Sequence, residues 1–380
     1  MRKKFFLKSI LEFTGLFLLI LLGLYLWTAL FGDGTSQPKL SPRTQRHLVT
    51  NKAHLTTPKV DRIQPHGFAR YIGASEDAII ADFGEPQDKL PSAVNVQWWV
   101  YKADPAQYFK VGIDLITHKV SAIFVGGQGM RKHETLRVNM PFKELVQLSS
   151  LYANFKLNYH EQSFQLELSE DDLNERPLIS FKNKSYAVTY LHPHSKKVYA
   201  LEYLNTDMLL KKNLYRVISQ TPLPVQFQGE TNWAAMNSLM PGDLTSLINV
   251  KRELIGVPEL TATDELTQAS QTVLSNLGEN PQKFLSKKKS RQVKNVLSGN
   301  LNQRQELYLY AQDVPRKLYQ AVGLSRRHFD IYCLAPIYDN TAFFSDPVLL
   351  RLIFPKLVSG NTKNIGIAYN KGMLVLIIDK

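Results

Sequence analysis

Cysteine and histidine are scarce in this 380-residue sequence. It contains one cysteine, Cys333, and nine histidines, of which only His328 lies beyond Thr231. One cysteine cannot form an internal disulfide, so a folded domain must be held together by its core alone. With 44% apolar and 21% charged residues, the chain has the composition of a globular protein that can build such a core.

Charge is absent from one long stretch near the amino terminus, residues 13–31 (FTGLFLLILLGLYLWTALF). At about 1.5 Å per residue the stretch covers roughly 28 Å, close to the ~30 Å hydrocarbon core of a bilayer. A cleaved signal peptide is the alternative, but its apolar region is usually only about 7–15 residues long. Four basic residues precede the stretch: Arg2, Lys3, Lys4 and Lys8. The sequence therefore predicts a cytoplasmic tail over 1–12 and a transmembrane helix over 13–31, with the rest of the chain outside the membrane.

Residues 32–67 are rich in proline, threonine, serine and basic residues, which predicts an extended extracytoplasmic stalk. The whole chain has a formal net charge of +13 at pH 7. An exported basic surface attracts phosphate-rich wall polymers or anionic lipid headgroups, although a solvated lysine-rich surface explains the same charge.

Residues 68–217 show one pattern twice, a short helix followed by strands. In the first copy a helix begins after Ser75 and ends at Gly84, and in the second a helix begins near Pro141. Gly73 of the first copy aligns with Met140 of the second. Strand-like runs follow at 96–101, 108–114 and 120–125, and again at 163–169, 177–183, 185–191 and 197–205. We therefore predict a two-lobed α+β domain.

Residues 218–380 change to helices followed by a terminal hairpin. One helix is predicted from Asp243, as its cap, to Gly256, and a second from its cap Thr263 to Gly278. Two strand runs, 364–370 and 373–379, close the chain. Helices in front of a hairpin predict a sheet covered by helices, an α/β/α sandwich.

Parts of these two regions resemble known families. The stretch LTSLINVKRELIGVPELTATDELTQAS resembles the opening of the CAP superfamily domain (cysteine-rich secretory, antigen 5, pathogenesis-related 1), and NIGIAYNKGMLVLIID is similar to its closing hairpin. The runs IGASEDAIIADFGEP, WWVY, YFKVGID and VSAIFVGG are similar to the CAP-associated amino-terminal domain of membrane-anchored proteins of Gram-positive bacteria. The resemblance implies a CAP-associated domain over 68–217 and a CAP-like domain over 218–380. The residues that match the opening motif are Asn249, Arg252, Gly256, Leu260 and Leu266.

The resemblance also implies a cleft in which two histidines and two acidic residues can hold a divalent metal. The CAP-like region has only His328, so that site cannot be built within it. The family's Ser-Pro-x-His-Arg turn falls on residues 345–351, which places Leu349 near the histidine. The Glu-Asn-x-Ala motif falls near Tyr332 and Cys333, without a glutamate. The sequence therefore predicts a degenerate cleft at Tyr332, Cys333 and Leu349, with no metal and no cofactor.

The segment SDPVLLRLIF, residues 345–354, is predicted to pack where the family has polar groups. Helical spacing places Leu349, Leu352 and Ile353 on one buried face, with Pro347 near the helix start and Arg351 in solvent.

An enzyme is the alternative, a cell-envelope hydrolase with an unrecognised cleft. His328 and Cys333 are the candidate pair, because a thiolate nucleophile needs a base within hydrogen-bond reach. Cys333 lies in IYCLAPI, however, which indicates a buried strand, where a free cysteine is mostly a small core residue. His160, His192 and His194 hint at metal chelation, but exposed turns explain them better.

Residues 281–305 are basic and contain no acidic residue. A nucleic-acid partner is unattractive outside the cell. Anionic lipid headgroups or a phosphate-rich wall polymer are the sharper hypothesis, and a solvated basic helix face is the alternative. We therefore expect a membrane-anchored, non-enzymatic structural or binding module at the cell envelope, with an unknown protein partner. The candidate binding residues are Lys283, Lys287, Lys288, Lys289, Arg291, Lys294 and Arg304.

The charge asymmetry around residues 13–31 gives a prediction of topology. A reporter that is active only outside the membrane should be active when fused after Lys380. Activity there of a cytoplasmic reporter alone would contradict the predicted orientation.

Overall fold

The computed structural model describes residues 60–102, 107–127, 134–224, 231–299 and 306–380, together with the backbone of 47–49. The predicted tail over 1–12 and transmembrane helix over 13–31 lie outside the described residues. Among the helices of the described part, none is both long and apolar enough to cross a membrane.

The amino-terminal domain, residues 60–219 with the strand at 47–49, alternates short helices and strands. A 3₁₀ turn at Gly67–Tyr71 precedes the first helix. In chain order the elements are β1 (His47–Val49), α1 (Glu76–Phe83), β2 (Asp88–Leu90), β3 (Val96–Tyr101), β4 (Phe109–Asp114), β5 (Val120–Val125), α2 (Phe142–Leu148), β6 (Asn154–Tyr159), β7 (Gln162–Glu167), α3 (Glu170–Glu175), β8 (Leu178–Ser180), β9 (Tyr186–Leu191), β10 (Val198–Leu204), α4 (Thr206–Lys212) and β11 (Arg216–Ser219).

The two predicted lobes share one seven-stranded sheet of order β2-β3-β4-β5-β10-β9-β8. The last strands of the lobes, β5 and β10, pair antiparallel at its centre. Each lobe also repeats the same hydrogen bond from the segment before its helix to its last strand. The amide of Gly73 donates to the carbonyl of Val120 at 2.8 Å, and that of Asn139 donates to Val198 at 2.7 Å. Gly73 therefore corresponds to Asn139, one residue before the predicted Met140.

The predicted stalk over 32–67 is wrong in its last part. The amide of Ile63 donates to the carbonyl of Ser180 at 3.1 Å, and that of Lys182 donates to Ile63 at 3.0 Å. Val60 packs against the core, and β1 pairs with β11 in parallel. Residues 47–49 and 60–63 of the predicted stalk therefore pair with or pack against the amino-terminal domain.

The carboxy-terminal domain, residues 231–380, begins with a long helix. A π-helical turn at Leu349–Ile353 precedes its last helix. Its elements are α5 (Trp233–Glu253), β12 (Thr261–Ala262), α6 (Asp264–Glu279), α7 (Pro281–Phe284), α8 (Lys287–Leu297), β13 (Leu307–Leu309), α9 (Arg316–Ala321), β14 (Phe329–Ala335), α10 (Ala342–Ser345), α11 (Phe354–Leu357), β15 (Asn364–Asn370) and β16 (Met373–Asp379).

A five-stranded sheet of order β12-β15-β16-β14-β13 forms the middle layer of this domain. Alternate side chains of its strands face opposite layers, as the pleat requires. On β14, Tyr332 and Leu334 join the apolar cluster that contains α5, whereas Ile331 and Cys333 join the cluster of α6, α8 and α9. The predicted α/β/α sandwich is confirmed.

Asp243 was predicted to cap α5, but it lies in the middle of that helix. The helix begins ten residues earlier, where Asn232 Oδ1 accepts the amide of Ala235 at 3.0 Å. Asp243 suggested a helix start, because aspartate is a common N-cap residue. The helix instead continues through Pro241, and its buried face packs into the core.

The predicted cap of α6 and the terminal hairpin are confirmed, whereas α6 ends at Glu279, one residue beyond the predicted stop at Gly278. Thr263 caps α6 by accepting the amide of Leu266 at 3.3 Å. Lys371 and Gly372 have φ angles of 49° and 81°, which matches a tight hairpin between β15 and β16.

The segment SDPVLLRLIF packs as predicted with one exception. Leu349 and Ile353 are fully buried, but Leu352 is 38% exposed. The π turn explains the error, because the amide of Phe354 bonds five residues back to Leu349. This wider turn rotates Leu352 outward and buries Leu350 in its place.

The polar residues of this segment are placed as predicted. Pro347 begins the helical stretch, and Asp346 Oδ1 caps it by accepting the amide of Val348 at 2.8 Å. Arg351 reaches the surface, where it forms an ion pair with Glu175.

This segment offers a matched pair of leucine substitutions. Leu349→Ala should cost about 2–5 kcal/mol of unfolding free energy, because it leaves a cavity in a closed core. Leu352→Ala should change it by less than about 1 kcal/mol, since this side chain already touches solvent. Urea unfolding of both variants measures the difference, and equal midpoints would contradict the burial pattern.

Candidate functional site at the domain junction

The two domains meet through an apolar contact that crosses their boundary. Phe344 lies 5.3 Å from Phe124 and 5.8 Å from Tyr199, measured between ring centroids. Phe354 lies 5.6 Å from the same Tyr199. These four rings define what we call the interdomain seam. The segment SDPVLLRLIF is therefore apolar where it faces the preceding domain.

Polar contacts border this seam. The Arg176 guanidinium forms an ion pair with Asp172 at 2.7 Å and donates to the carbonyl of Ser345 at 2.8 Å. Lys212 Nζ donates to the hydroxyl of Thr341 at 3.2 Å. The seam is thus held at its margin by groups from both domains.

A buried set of polar side chains lies at the same junction, which we call the interdomain polar cluster. The Asp243 carboxylate accepts hydrogen bonds from Tyr108 at 2.9 Å, Lys110 at 3.0 Å and Asn340 at 2.7 Å. Tyr369 donates to the Asn340 amide oxygen at 2.6 Å. Lys110 lies on β4 and Tyr108 directly precedes that strand, whereas Asp243, Asn340 and Tyr369 come from the carboxy-terminal domain.

Burial controls the electrostatics of this cluster. The Lys110 and Asp243 side chains are 1% and 3% exposed. Burial alone would lower the pKa of Lys110, but Asp243, and Asp339 at 3.8 Å, raise it above its ordinary value. Burial, followed by the Asp243 charge, raises the pKa of the Tyr108 hydroxyl well above its usual range. The cluster therefore holds a closed ion pair and protonated phenols, which suits positioning and not proton transfer.

Lys251 is a second buried lysine at the junction, and it has no carboxylate partner among the described residues. Its side chain is 1% exposed, and its ammonium donates to the carbonyl oxygen of Tyr199. The ammonium also lies 4.5 Å from the Tyr199 ring and 5.3 Å from the Phe344 ring. Burial lowers the pKa of Lys251 to about 7.

The predicted degenerate-cleft residues do not converge on one site. Tyr332 and Leu349 lie in the apolar cluster on the α5 side of the sheet, whereas Cys333 lies in the cluster on the opposite side. Cys333 is fully buried, and burial raises the pKa of its thiol to about 12. His328 is exposed before the start of β14. A thiol buried in this way does not form the thiolate that a His328–Cys333 pair would need.

Two residues that match the family's opening motif have structural contacts. The Asn249 amide donates to the carbonyl of Leu260 at 3.1 Å and accepts the amide of the same residue at 2.8 Å. The buried Arg252 guanidinium donates to backbone carbonyls of Pro258 at 2.5 Å, Leu357 at 2.7 Å, Ser359 at 2.8 Å and Thr362 at 2.8 Å. Burial lowers the pKa of Arg252. These side chains stabilise the loops that follow α5 and α11 by hydrogen bonding to their backbones.

The histidine-rich turns are held by ordinary backbone contacts. His192 Nδ1 accepts the amides of His194 at 3.3 Å and Ser195 at 3.2 Å, so this nitrogen is already occupied. His160 lies at the tip of the β6–β7 hairpin with a φ of 44°. Across the part of the chain that the structure describes, no three histidine, cysteine or acidic residues are grouped to hold a metal ion.

The basic stretch folds into α7 and α8, with Arg304 outside the described residues. Ser286 caps α8 by accepting the amide of Lys289 at 3.4 Å. Lys289 is half-buried, and Lys283, Lys287, Lys288, Arg291 and Lys294 are exposed. We call these six residues the basic face. Within the described chain, none of the six is ion-paired with a carboxylate.

An open groove of about 520 Å³ runs along α5 between the two domains. Two carboxylates line it, Glu253 and Glu259, with hydroxyls from Thr245 and Ser246. Thr245 donates to the carbonyl of Pro241 at 3.0 Å. The other lining residues are Lys102, Tyr108, Pro241, Gly242, Asn249, Val250, Ala262, Thr267 and Ile367.

Sequence analysis missed both buried lysines and the true position of Asp243. Lys110 and Asp243 are 133 residues apart, and no local pattern links them. The only signal was a lysine within the apolar run YFKVGI, which also suits a strand with one solvent-facing side.

Comparisons with known proteins agree with this architecture. Residues 72–215 match the sequence family described as CAP-associated N-terminal, so the amino-terminal domain is a CAP-associated domain. The chain is 23% identical over 244 residues to the uncharacterized membrane protein YlbC of Bacillus subtilis (strain 168). That match covers 64% of this chain and 68% of YlbC.

Two crystal structures share the fold. An extracellular protein containing a SCP domain from Bacillus anthracis str. Ames superposes with a TM-score of 0.63 at 17% identity, covering 88% of this chain and 100% of that one. A cysteine-rich secretory protein from Staphylococcus aureus subsp. aureus Mu50 gives a TM-score of 0.62 at 16% identity, with 84% and 95% covered. The chain therefore has a CAP-associated domain followed by a domain of the SCP, or CAP, fold.

The Lys251 environment predicts how stability depends on pH. The lysine pKa is about 10.4 in an unfolded chain and about 7 here, so between these values the unfolded state binds more protons. The destabilisation caused by Lys251 should therefore shrink from pH 7.5 to pH 9.5. Lys251→Met should stabilise the protein at pH 7.5 by on the order of a few kcal/mol, and this gain should be smaller at pH 9.5.

Urea unfolding at the two pH values measures this effect. Lys294→Met, on the exposed part of α8, is the control and should leave both midpoints unchanged. A Lys251→Met variant that is less stable than the parent at pH 7.5 would contradict the unpaired buried charge.

Proposed function

We propose that the protein is a non-enzymatic binding module of the cell envelope, anchored by residues 13–31, that presents an extracytoplasmic platform. Its basic face binds phosphate-bearing anionic groups, in a wall polymer or in lipid headgroups. The observation that carries the proposal is the filled sheet face of the CAP-like domain. There Tyr332 and Leu349 are buried in one apolar cluster with side chains of the CAP-associated domain.

Because that sheet face is buried, we propose that a ligand binds elsewhere on the surface of the domain. The CAP-like domain has one histidine, and its one thiol is fully buried. The groups that match the family motif, Asn249 and Arg252, are occupied by backbone atoms. The basic face is the part of the domain where charge is concentrated and exposed to solvent.

The geometry of α8 favours an anionic ligand on this face. Lys287, Lys288 and Lys289 occupy its first turn, where the partial positive charge of the helix dipole adds to theirs. Residues 281–305 contain no acid to neutralise this charge. Phosphate groups are drawn to such a surface mainly by screened Coulomb attraction.

A hydrolase is the second candidate, and the groove along α5 is the observation that favours it. Glu253 and Glu259 both line it, and paired carboxylates serve general acid and base roles in glycoside hydrolysis. Release of soluble fragments from purified wall polymer by the full chain, abolished by Glu253→Gln, would favour this candidate over the binding module.

Charge reversal in α8 tests the proposed ligand class. Full-length protein should bind phosphodiester-linked wall polymer or phosphatidylglycerol vesicles, and binding should fall steeply as salt rises. The triple variant Lys287→Glu, Lys288→Glu, Lys289→Glu should lose at least tenfold in affinity. Glutamate in the first turn of a helix is favoured by the dipole, so the variant should fold normally.

The control reverses the same number of charges at other exposed positions, Lys182→Glu, Lys317→Glu and Lys363→Glu. Equal loss in both triple variants would show that net charge alone drives binding, and the basic face would have no special role. Comparing the polymer with vesicles identifies the source of the phosphate.

A further inference from the structure

The turn between β4 and β5 exposes two aliphatic side chains at its tip. Leu115 is 50% exposed and Ile116 is 70% exposed, the latter more than any other large apolar side chain in the described residues. Thr117, His118 and Lys119 beside them are also exposed. Two adjacent aliphatic side chains in water are unfavourable unless they meet another surface.

The second lobe shows that the turn itself does not need these side chains. In the first lobe Asp114 Oδ1 accepts the amides of Ile116 at 3.1 Å and Thr117 at 2.8 Å. In the second lobe His192 Nδ1 accepts the amides of His194 and Ser195 in the same pattern.

The backbone bonds that close the two turns also match. Asp114 donates to Lys119 at 2.9 Å, and His192 donates to Lys197 at 2.8 Å. Leu115 and Ile116 therefore correspond to Pro193 and His194. The same turn is built with a polar tip in one lobe and an aliphatic tip in the other.

The chemistry of the tip favours a lipid bilayer over a protein partner. Protein hot spots are enriched in tryptophan, tyrosine and arginine, and leucine is under-represented in them. The tip is the exposed turn between β4 and β5.

Under the proposed anchoring, the length of chain before the first paired strand keeps the domain close to the membrane. Residues 32–46 connect the uncharged stretch 13–31 to β1. Fully extended, they span at most about 50 Å, so the domain is confined to a thin layer above the bilayer. A weak apolar contact is strengthened under this confinement, because the effective lipid concentration is high.

We propose that Leu115 and Ile116 insert into the outer leaflet of the membrane that anchors the chain, and so orient the CAP-associated domain on the bilayer. The inference rests on the proposed membrane anchoring. The first lobe then contacts lipid through this tip, whereas the equivalent turn of the second lobe does not.

A fluorophore attached at the tip tests the insertion in the full-length chain. The only native thiol, Cys333, is fully buried, so a label reacts selectively with an introduced surface cysteine. Ile116→Cys and, as the matched control in the equivalent turn, His194→Cys are labelled with a polarity-sensitive dye. The proteins are reconstituted into phosphatidylcholine vesicles with the domain outside.

We expect the label at position 116 to shift to shorter emission wavelength and to be quenched by iodide at least threefold less than the label at 194. Adding Leu115→Ser should remove at least half of this protection. Equal iodide quenching at both positions, in protein that sediments with the vesicles, would overturn the insertion but not the anchoring. Protein that does not sediment with vesicles would overturn both.

Two further outcomes would also overturn the insertion. Protection that appears only in phosphatidylglycerol vesicles would assign the contact to charge and not to the aliphatic pair. Protection that requires added envelope proteins would assign the tip to a protein partner.

Discussion

The buried carboxylate of Asp243 is the group on which the packing of the two domains depends. It accepts hydrogen bonds from Tyr108 and Lys110 of one domain and from Asn340 of the other, one at Oδ1 and two at Oδ2. Burying such a charge costs several kcal/mol, which only complete pairing offsets. Rotating one domain against the other would leave both Lys110 and Asp243 buried and unpaired. The cluster therefore favours a single relative orientation of the two domains.

This fixed orientation explains the character of SDPVLLRLIF. Its last residue, Phe354, contacts Tyr199, and the adjacent Phe344 contacts Phe124, so the segment lies at an internal interface with the CAP-associated domain. A polar turn of the family type would bury unsatisfied groups there, at a cost of about 1–3 kcal/mol each. The apolar character of the segment and the docking of the preceding domain thus belong to the same interface.

Local signals allowed much of the fold to be predicted from sequence. Strands β3 to β5, the Thr263 cap and the Lys371-Gly372 turn each depend on residues close in sequence. Leu352 was misplaced because a π turn changes the helical period, and Asp243 was misplaced because aspartate is a common N-cap residue. The polar cluster could not be predicted, because it joins residues from β4, α5 and β15 that meet only through tertiary packing.

The junction contains two buried ammonium groups, those of Lys110 and Lys251, in different surroundings. Lys110 is paired with Asp243, and its pKa is raised despite burial. Lys251 has only a carbonyl and two aromatic rings as partners, and burial lowers its pKa to about 7. The first lysine favours one orientation, whereas the second weakens the junction near neutral pH because its charge is incompletely compensated. Since both lysines lie inside the junction, neither is available to a ligand. The proposed contacts with the envelope therefore use side chains that the junction leaves outside, such as Lys287 and Ile116.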